Sequence, residues 1–437
     1  MSSSTQTSSK WQKLTFITGV DDVMALLLAL SASPEELELA MISVTYGNVP
    51  LQSCLRNVAA MYHVLEKEFE WRKSQGRPEG YETLKAHKTL IAAGAEHSLA
   101  DPVLAADYFH GADGLHNVHD IHIDLSPAET WKALFDKEDG TDHGPSYHRF
   151  KASKEPAHKE MLRLLRENPP DTISILAVGP LTNVALAATE DPETFLRVKE
   201  LVVMGGAVEV PGNVTPTAEF NTYADPLAAA LVYALTSPTP ASTLPPIPSH
   251  VNIKPYPAKL SRRLKVTLCP LDITNRHFIN KNYFNENVKP LVDAGSPLAR
   301  WTAHFINGAF DKIDSMEGDG REPELALHDP FTVWYVLTHD DARWQTPAKP
   351  EDLRVETIGQ WTRGSYVLDK RVRTKPGEAA GELSENLEAD DHLVTLDEVP
   401  GDTMGWLSVR KGNRLGRLIK SPGETIFKEV WMQRVYQ

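Results

Sequence analysis

A chain of 437 residues can bury a large core, as one large domain or two. A formal net charge of −14 with no local basic patch speaks against nucleic-acid and anionic-membrane surfaces. A content of 41% hydrophobic and 24% charged residues is that of a soluble globular protein.

Residues 1–12 read as a disordered segment, and Met1–Lys10 has no apolar h-region of a signal peptide. No apolar run approaches the roughly 20 residues that span a bilayer. Cys54 and Cys269 stand in no metal-ligand spacing and read as reduced thiols, which points to a cytoplasmic protein. Leu14–Ile17 is a short apolar run, and Val23–Leu30 continues as a helix with Asp21 and Asp22 just before it. Leu39–Thr45, rich in β-branched residues, reads as a strand ended by Gly47 and Asn48. Gln52–Glu66 has helical spacing. The alternation returns: strand at Thr172–Val178, helix from Asn183, strand at Leu201–Met204, helix at Asp225–Leu235, strand at Lys265–Cys269. This pattern predicts an α/β fold, a mostly parallel sheet flanked by helices, with ligands at the C-terminal strand ends. Segments near 67–88, 119–156, 237–259 and 371–402 break the pattern and read as mobile surface insertions. The irregularly spaced histidines from His116 to His158 read as a solvated loop rather than a metal site.

Three clusters carry chemistry. Thr18–Asp22 (TGVDD) is a helix start when taken alone, but adjacent carboxylates after a strand also suit a hard cation. His328 and Asp329 are an ordinary turn unless another part of the chain supplies partners. Asn213, Glu219 and Asn221 offer carboxamides and a carboxylate to a polyhydroxylated ligand, a weak signal by itself.

The ordered set is specific. TGVDDVMALLLAL at 18–30, TYGN at 45–48, HGADGL at 110–115, AVGPLTN at 177–183 and VMGGA at 203–207 are followed by four more. These are GNVTPTAEFNTYADP at 212–226, LDIT at 271–274, HDP at 328–330 and TRGSYVLD at 362–369. The series resembles the inosine–uridine-preferring nucleoside hydrolase family, from about Lys13 to a last helix at Glu424–Tyr436. The resemblance implies a single large Rossmann-like domain over 13–437. It implies an enzyme that cleaves the N-glycosidic bond of ribonucleosides with Ca²⁺ and water. Carried over by position, Asp21, Asp22 and Asp329 are carboxylate ligands and Val178 offers its carbonyl. Asn48, Asn213, Glu219 and Asn221 bind the sugar, and Met204 lines the ribose pocket. His328 matches the proton donor to the leaving base, and His110 lies near the base. The resemblance further implies a ribonucleoside as small-molecule partner and a dimer or tetramer.

One stretch departs from the family. Thr15 and Ile17 stand where the family has aspartates, the second of them a calcium ligand and the base that activates water. Isoleucine has no lone pair and no titratable group. Agreement begins abruptly at Thr18 and is then intact, which favours a wrongly joined first exon over gradual decay; an inactive, nucleoside-binding paralogue is the alternative. A nicotinamide-dependent oxidoreductase has little support, because no G-x-G-x-x-G opens a helix after a strand.

Overall fold

In the computed structural model the described residues are 12–15, 20–100, 109–135, 149–318, 320–371 and 401–437. Seven parallel strands, β1 (Gln12–Thr15), β2 (Glu38–Val44), β3 (Thr89–Ala93), β4 (Phe150–Ala152), β5 (Ile173–Ala177), β6 (Glu200–Met204) and β7 (Val266–Cys269), form the main sheet with the short strand Gly416–Arg417. Their spatial order is Gly416–Arg417, β7, β6, β5, β1, β2, β3, β4, with every pair parallel. β5 and β6 are buried along their whole length, as expected of a parallel sheet covered on both faces. One apolar cluster, containing α1 (Val20–Leu30), α2 (Leu51–Ser74) and the C-terminal helices, covers one face. A second, built on helices Ala157–Glu167, Thr182–Glu190 and Pro226–Ala234, covers the other. α1 is apolar on all sides after Asp22 and is correspondingly enclosed. The last helix, Ile426–Tyr436, closes over it through Trp431, whose indole N–H donates to the Met24 carbonyl (3.1 Å).

The chain leaves β1 toward β2 and, later, leaves β5 toward β6, so the connections run in opposite directions from the β1/β5 pair. Diverging connections open a crevice at the carboxyl ends of these strands, the usual ligand position in such sheets. Asp21, Asn48 and Val178 follow β1, β2 and β5, and Met204 is the last residue of β6.

Three of the segments expected as loose surface insertions are partly built into the core. α2 continues to Ser74, because Glu68 and Arg72 turn inward and pair at 2.7 Å with both side chains buried. Glu68 also accepts from Ser296 Oγ (2.7 Å) and Leu298 N–H (3.1 Å), and Arg72 donates to the carbonyls of Glu79 and Val435. The charges that hid the helix in the sequence thus tie it to two distant elements. Over 119–156, His119 and Trp131 are buried and Phe150–Ala152 is the outer strand β4. Over 237–259, Leu244, Ile247, Val251 and Tyr256 pack on the second core. Residues 372–400 and the first eleven residues lie outside the described residues.

Arg72→Ala should cost about 3–5 kcal/mol of stability, because it strands the buried Glu68 carboxylate without its partner. A shift of the urea midpoint measures this; an unchanged midpoint would show that the pair is not needed.

Candidate functional site

The segments after β1, β2, β5 and β6 converge on one cavity of about 430 Å³. Asp21, Asp22, Asn48, His110, Val178, Met204, Asn213, Glu219, Asn221, His328 and Asp329 all line it. Every candidate residue named from the sequence is therefore brought to one place, from segments as far apart as Asp21 and Asp329.

Asp21 and Asp22 open α1, and Asp329 lies in the first turn of the helix His328–Thr338, which packs against α1. One carboxylate oxygen from each of the three lies within 4.8 Å of the others, and Asp22 and Asp329 are buried. Burial first, then the charges of Asp21 and Asp22, hold the Asp329 carboxyl well above the usual carboxylate range. Among the described residues no lysine or arginine lines the cavity to offset these charges. Three carboxylates so placed fit a hard divalent cation. Thr15 ends β1, whereas Ile17 lies outside the described residues.

The polar wall is built by one loop and a short helix. Glu219 caps the helix Phe220–Ala224: its carboxylate accepts from Asn221 N–H (2.6 Å), Thr222 N–H (3.0 Å) and Gly206 N–H (2.8 Å). Burial raises its pKa while these N–H donors pull the other way. Gly206 has φ +85° with the Tyr366 ring against it, a place for glycine alone. A Cβ at Gly212 would collide with the Ala218 backbone, so glycine lets this loop fold back tightly. There Asn213 Oδ1 accepts from Phe220 N–H (2.9 Å). Asn221 Nδ2 donates to the carbonyls of Val178 (3.1 Å) and Met204 (3.3 Å). The amide of Asn221 is thus oriented from behind, leaving its oxygen as an acceptor.

Two imidazoles complete the cavity. Val20 N–H at the start of α1 donates to His110 Nδ1 (3.1 Å), which places the His110 proton on Nε2. His328 bonds through Nδ1 to Thr274 Oγ1 (2.8 Å). Burial lowers the His328 pKa, opposed by Asp21 and reinforced by His110.

The sequence reading missed the outer wall. Phe109, Val214 and Phe220 flank motif residues, and Ile313, Met316 and Glu317 come from the helix Pro297–Glu317. The i, i+3, i+4 spacing of the last three, on one helix face, is a legible signal. Glu324, Leu325 and Ala326, from the short ribbon Phe278–Asn280 with Glu324–Ala326, carried no signal. Among the His116–His158 histidines, His119 is not solvated: it bonds Asn57 Oδ1 (2.8 Å) and Ser126 Oγ (3.1 Å) in the interior. The three aspartates of the cavity are the sole carboxylate or histidine group found close enough to share a metal among the described residues.

Comparison with known proteins agrees with this geometry. The family described as "Inosine-uridine preferring nucleoside hydrolase" matches residues 18–390. The pyrimidine-specific ribonucleoside hydrolase RihA of Salmonella paratyphi B is 29% identical over 356 residues, 80% of this chain and 86% of that protein. The non-specific ribonucleoside hydrolase RihC of Klebsiella pneumoniae is 25% identical over 368 residues, 84% of this chain and 89% of that one. The purine-preferring ribonucleoside hydrolase from Gardnerella vaginalis shares the fold, with TM-score 0.62 at 20% identity over 98% of each chain. No helix among the described residues is long and apolar enough to cross a membrane.

Proposed function

The chain belongs to the inosine-uridine preferring nucleoside hydrolase family, a family of hydrolases acting on nucleosides, and from that premise we propose that it cleaves uridine- or inosine-type ribonucleosides to ribose and free base with Ca²⁺ as cofactor. The observation that carries this reading is the three-carboxylate cluster sharing one cavity with Asn48, Asn213, Glu219 and Asn221. Asp21, Asp22 and Asp329 would hold the cation, with Val178 offering its carbonyl. Bound calcium would supply a polarised water and a template for the ribose hydroxyls. The amide groups of Asn48, Asn213 and Asn221 bind the sugar hydroxyls, and Met204 packs against the ring. Breaking an N-ribosidic bond builds positive charge on the sugar, which a cavity lined by carboxylates and, among the described residues, by no lysine or arginine favours. His328 gives a proton to the departing base, and His110, held by Val20 N–H at the start of α1, offers Nε2–H. The same reading places one catalytic domain over 13–437, a homodimer or homotetramer, and the cytoplasm.

Ile17 favours a second reading, a catalytically silent protein that keeps the nucleoside pocket. Release of ribose from uridine, inosine, cytidine and adenosine, with calcium and with a chelator, separates the two. Calcium-dependent release is the expected result. No release, with retained binding of a nucleoside, would establish the silent protein instead.

A further inference from the structure

We propose that Thr274 is a positioning residue for base departure: its buried hydroxyl holds the His328 imidazole through Nδ1, so that Nε2 is the nitrogen presented to the leaving base. This rests on the function proposed above and goes beyond it, since Thr274 lies behind the cavity wall and touches neither substrate nor cation.

The geometry is specific. Thr274 is fully buried and ends the one-turn helix Leu271–Thr274 that follows β7. Its N–H donates to the Pro270 carbonyl (3.1 Å), which fixes the backbone, while its hydroxyl goes to His328 Nδ1 (2.8 Å). A threonine in a helix usually returns its hydroxyl to a carbonyl of the preceding turn; here it reaches 54 positions ahead instead. The same segment grips the neighbouring backbone. Leu327 N–H donates to the His277 carbonyl (2.7 Å), and His277 is itself held by the Ile273 carbonyl (2.9 Å) and Ser421 Oγ (2.8 Å). The stretch 271–277 therefore fixes both the main chain entering His328 and the rotation of its ring. With Nδ1 engaged behind the wall, Nε2 is the nitrogen left to face the cavity that His328 lines.

With Thr274 Oγ1 on Nδ1, Nε2 is the ring nitrogen whose N–H is aimed at the base. As the glycosidic C–N bond breaks, its electron pair stays on the base nitrogen and takes the Nε2 proton. Water adds to the ribosyl carbon, and the proton it sheds returns to Nε2 through solvent. A ring free to rotate would spend most encounters misaimed, and misplacement of about 1 Å can cost about a hundredfold in rate.

Thr274→Val keeps the shape and removes the hydroxyl; Thr274→Ser restores it. In the whole protein labelled with ¹⁵N-histidine, Thr274→Val should shift the ring nitrogens of His328, assigned by His328→Asn, and Thr274→Ser should return them toward their original positions. On uridine, Thr274→Val should lower kcat about 10- to 100-fold with KM nearly unchanged. On p-nitrophenyl riboside, whose leaving group departs as a stable anion without a proton, the loss should be less than about threefold. Unshifted His328 nitrogens would overturn the proposal, as would equal losses on both ribosides, which mark a merely structural role. If the unsubstituted chain cleaves no riboside, the hydrolase reading fails, and the ring nitrogens alone decide whether Thr274 holds His328.

Discussion

Asp329→Asn is expected to abolish stabilisation by calcium and to reduce ribose release to the level seen with a chelator. Asp329 shares a hydrogen bond with Asp22 and faces the charge of Asp21 in a buried setting. A carboxamide of the same shape keeps that hydrogen bond by donating N–H to Asp22, and it cannot ionise to meet a cation. The metal-free variant should therefore melt no lower than the parent. What it loses is the third anionic oxygen of a cluster spanning 4.8 Å, and a hard cation depends on such oxygens. In the parent protein, calcium at about a hundred times its Kd should stabilise the native state by about 2.7 kcal/mol. Thermal melts of both proteins with and without calcium read the difference directly. Equal calcium shifts in the two would show that the ion binds elsewhere.

The second large effect is a gain. Thr15→Asp combined with Ile17→Asp should raise kcat/KM for a nucleoside by about a hundredfold to ten-thousandfold, the range in which a positioned proton acceptor contributes. β1 lies between β2 and β5, in the middle of the sheet, and Asp21, six positions after it, meets Asp22 and Asp329. An added carboxylate there supplies another oxygen for the cation and a base for the attacking water; isoleucine supplies neither. The gain should come with tighter calcium binding, measurable by calorimetry. A doubly substituted protein no more active than its parent would mean that the rest of the site has drifted as well. Sequencing the 5′ end of the transcript gives the complementary test: an mRNA that encodes Thr15-Phe16-Ile17 rules out a misjoined exon.

The comparison of α2 with α1 shows why part of the fold was hard to read. α1 is apolar on all sides after Asp22, and its end at Leu30 follows from composition, although it begins at Val20 rather than Val23 and takes Asp21 and Asp22 into its first turn. The last two turns of α2 carry Glu66, Lys67, Glu68, Glu70, Arg72 and Lys73, which resemble a solvated run. Of these only Glu68 and Arg72 are buried, through partners at Ser296, Leu298 and Val435, more than 200 positions away. His119 follows the same rule, since its interior place depends on Asn57 and Ser126 rather than on its own neighbours.

For the site, the residue types and their order were legible because chemistry restricts them. A hard cation needs oxygen donors, a ribose needs carboxamides, and glycines at 206 and 212 permit backbone approaches that a Cβ forbids. The sequence by itself thus determined the parallel α/β layout, the identity of the cavity's polar residues and the deficit at Ile17. Only the tertiary structure decided that the end of the helix Pro297–Glu317 forms the outer wall and that Thr274 grips His328. Those are contacts between segments joined by no local pattern, set by how helices pack over a twisted sheet, and packing geometry leaves no periodic trace in the chain.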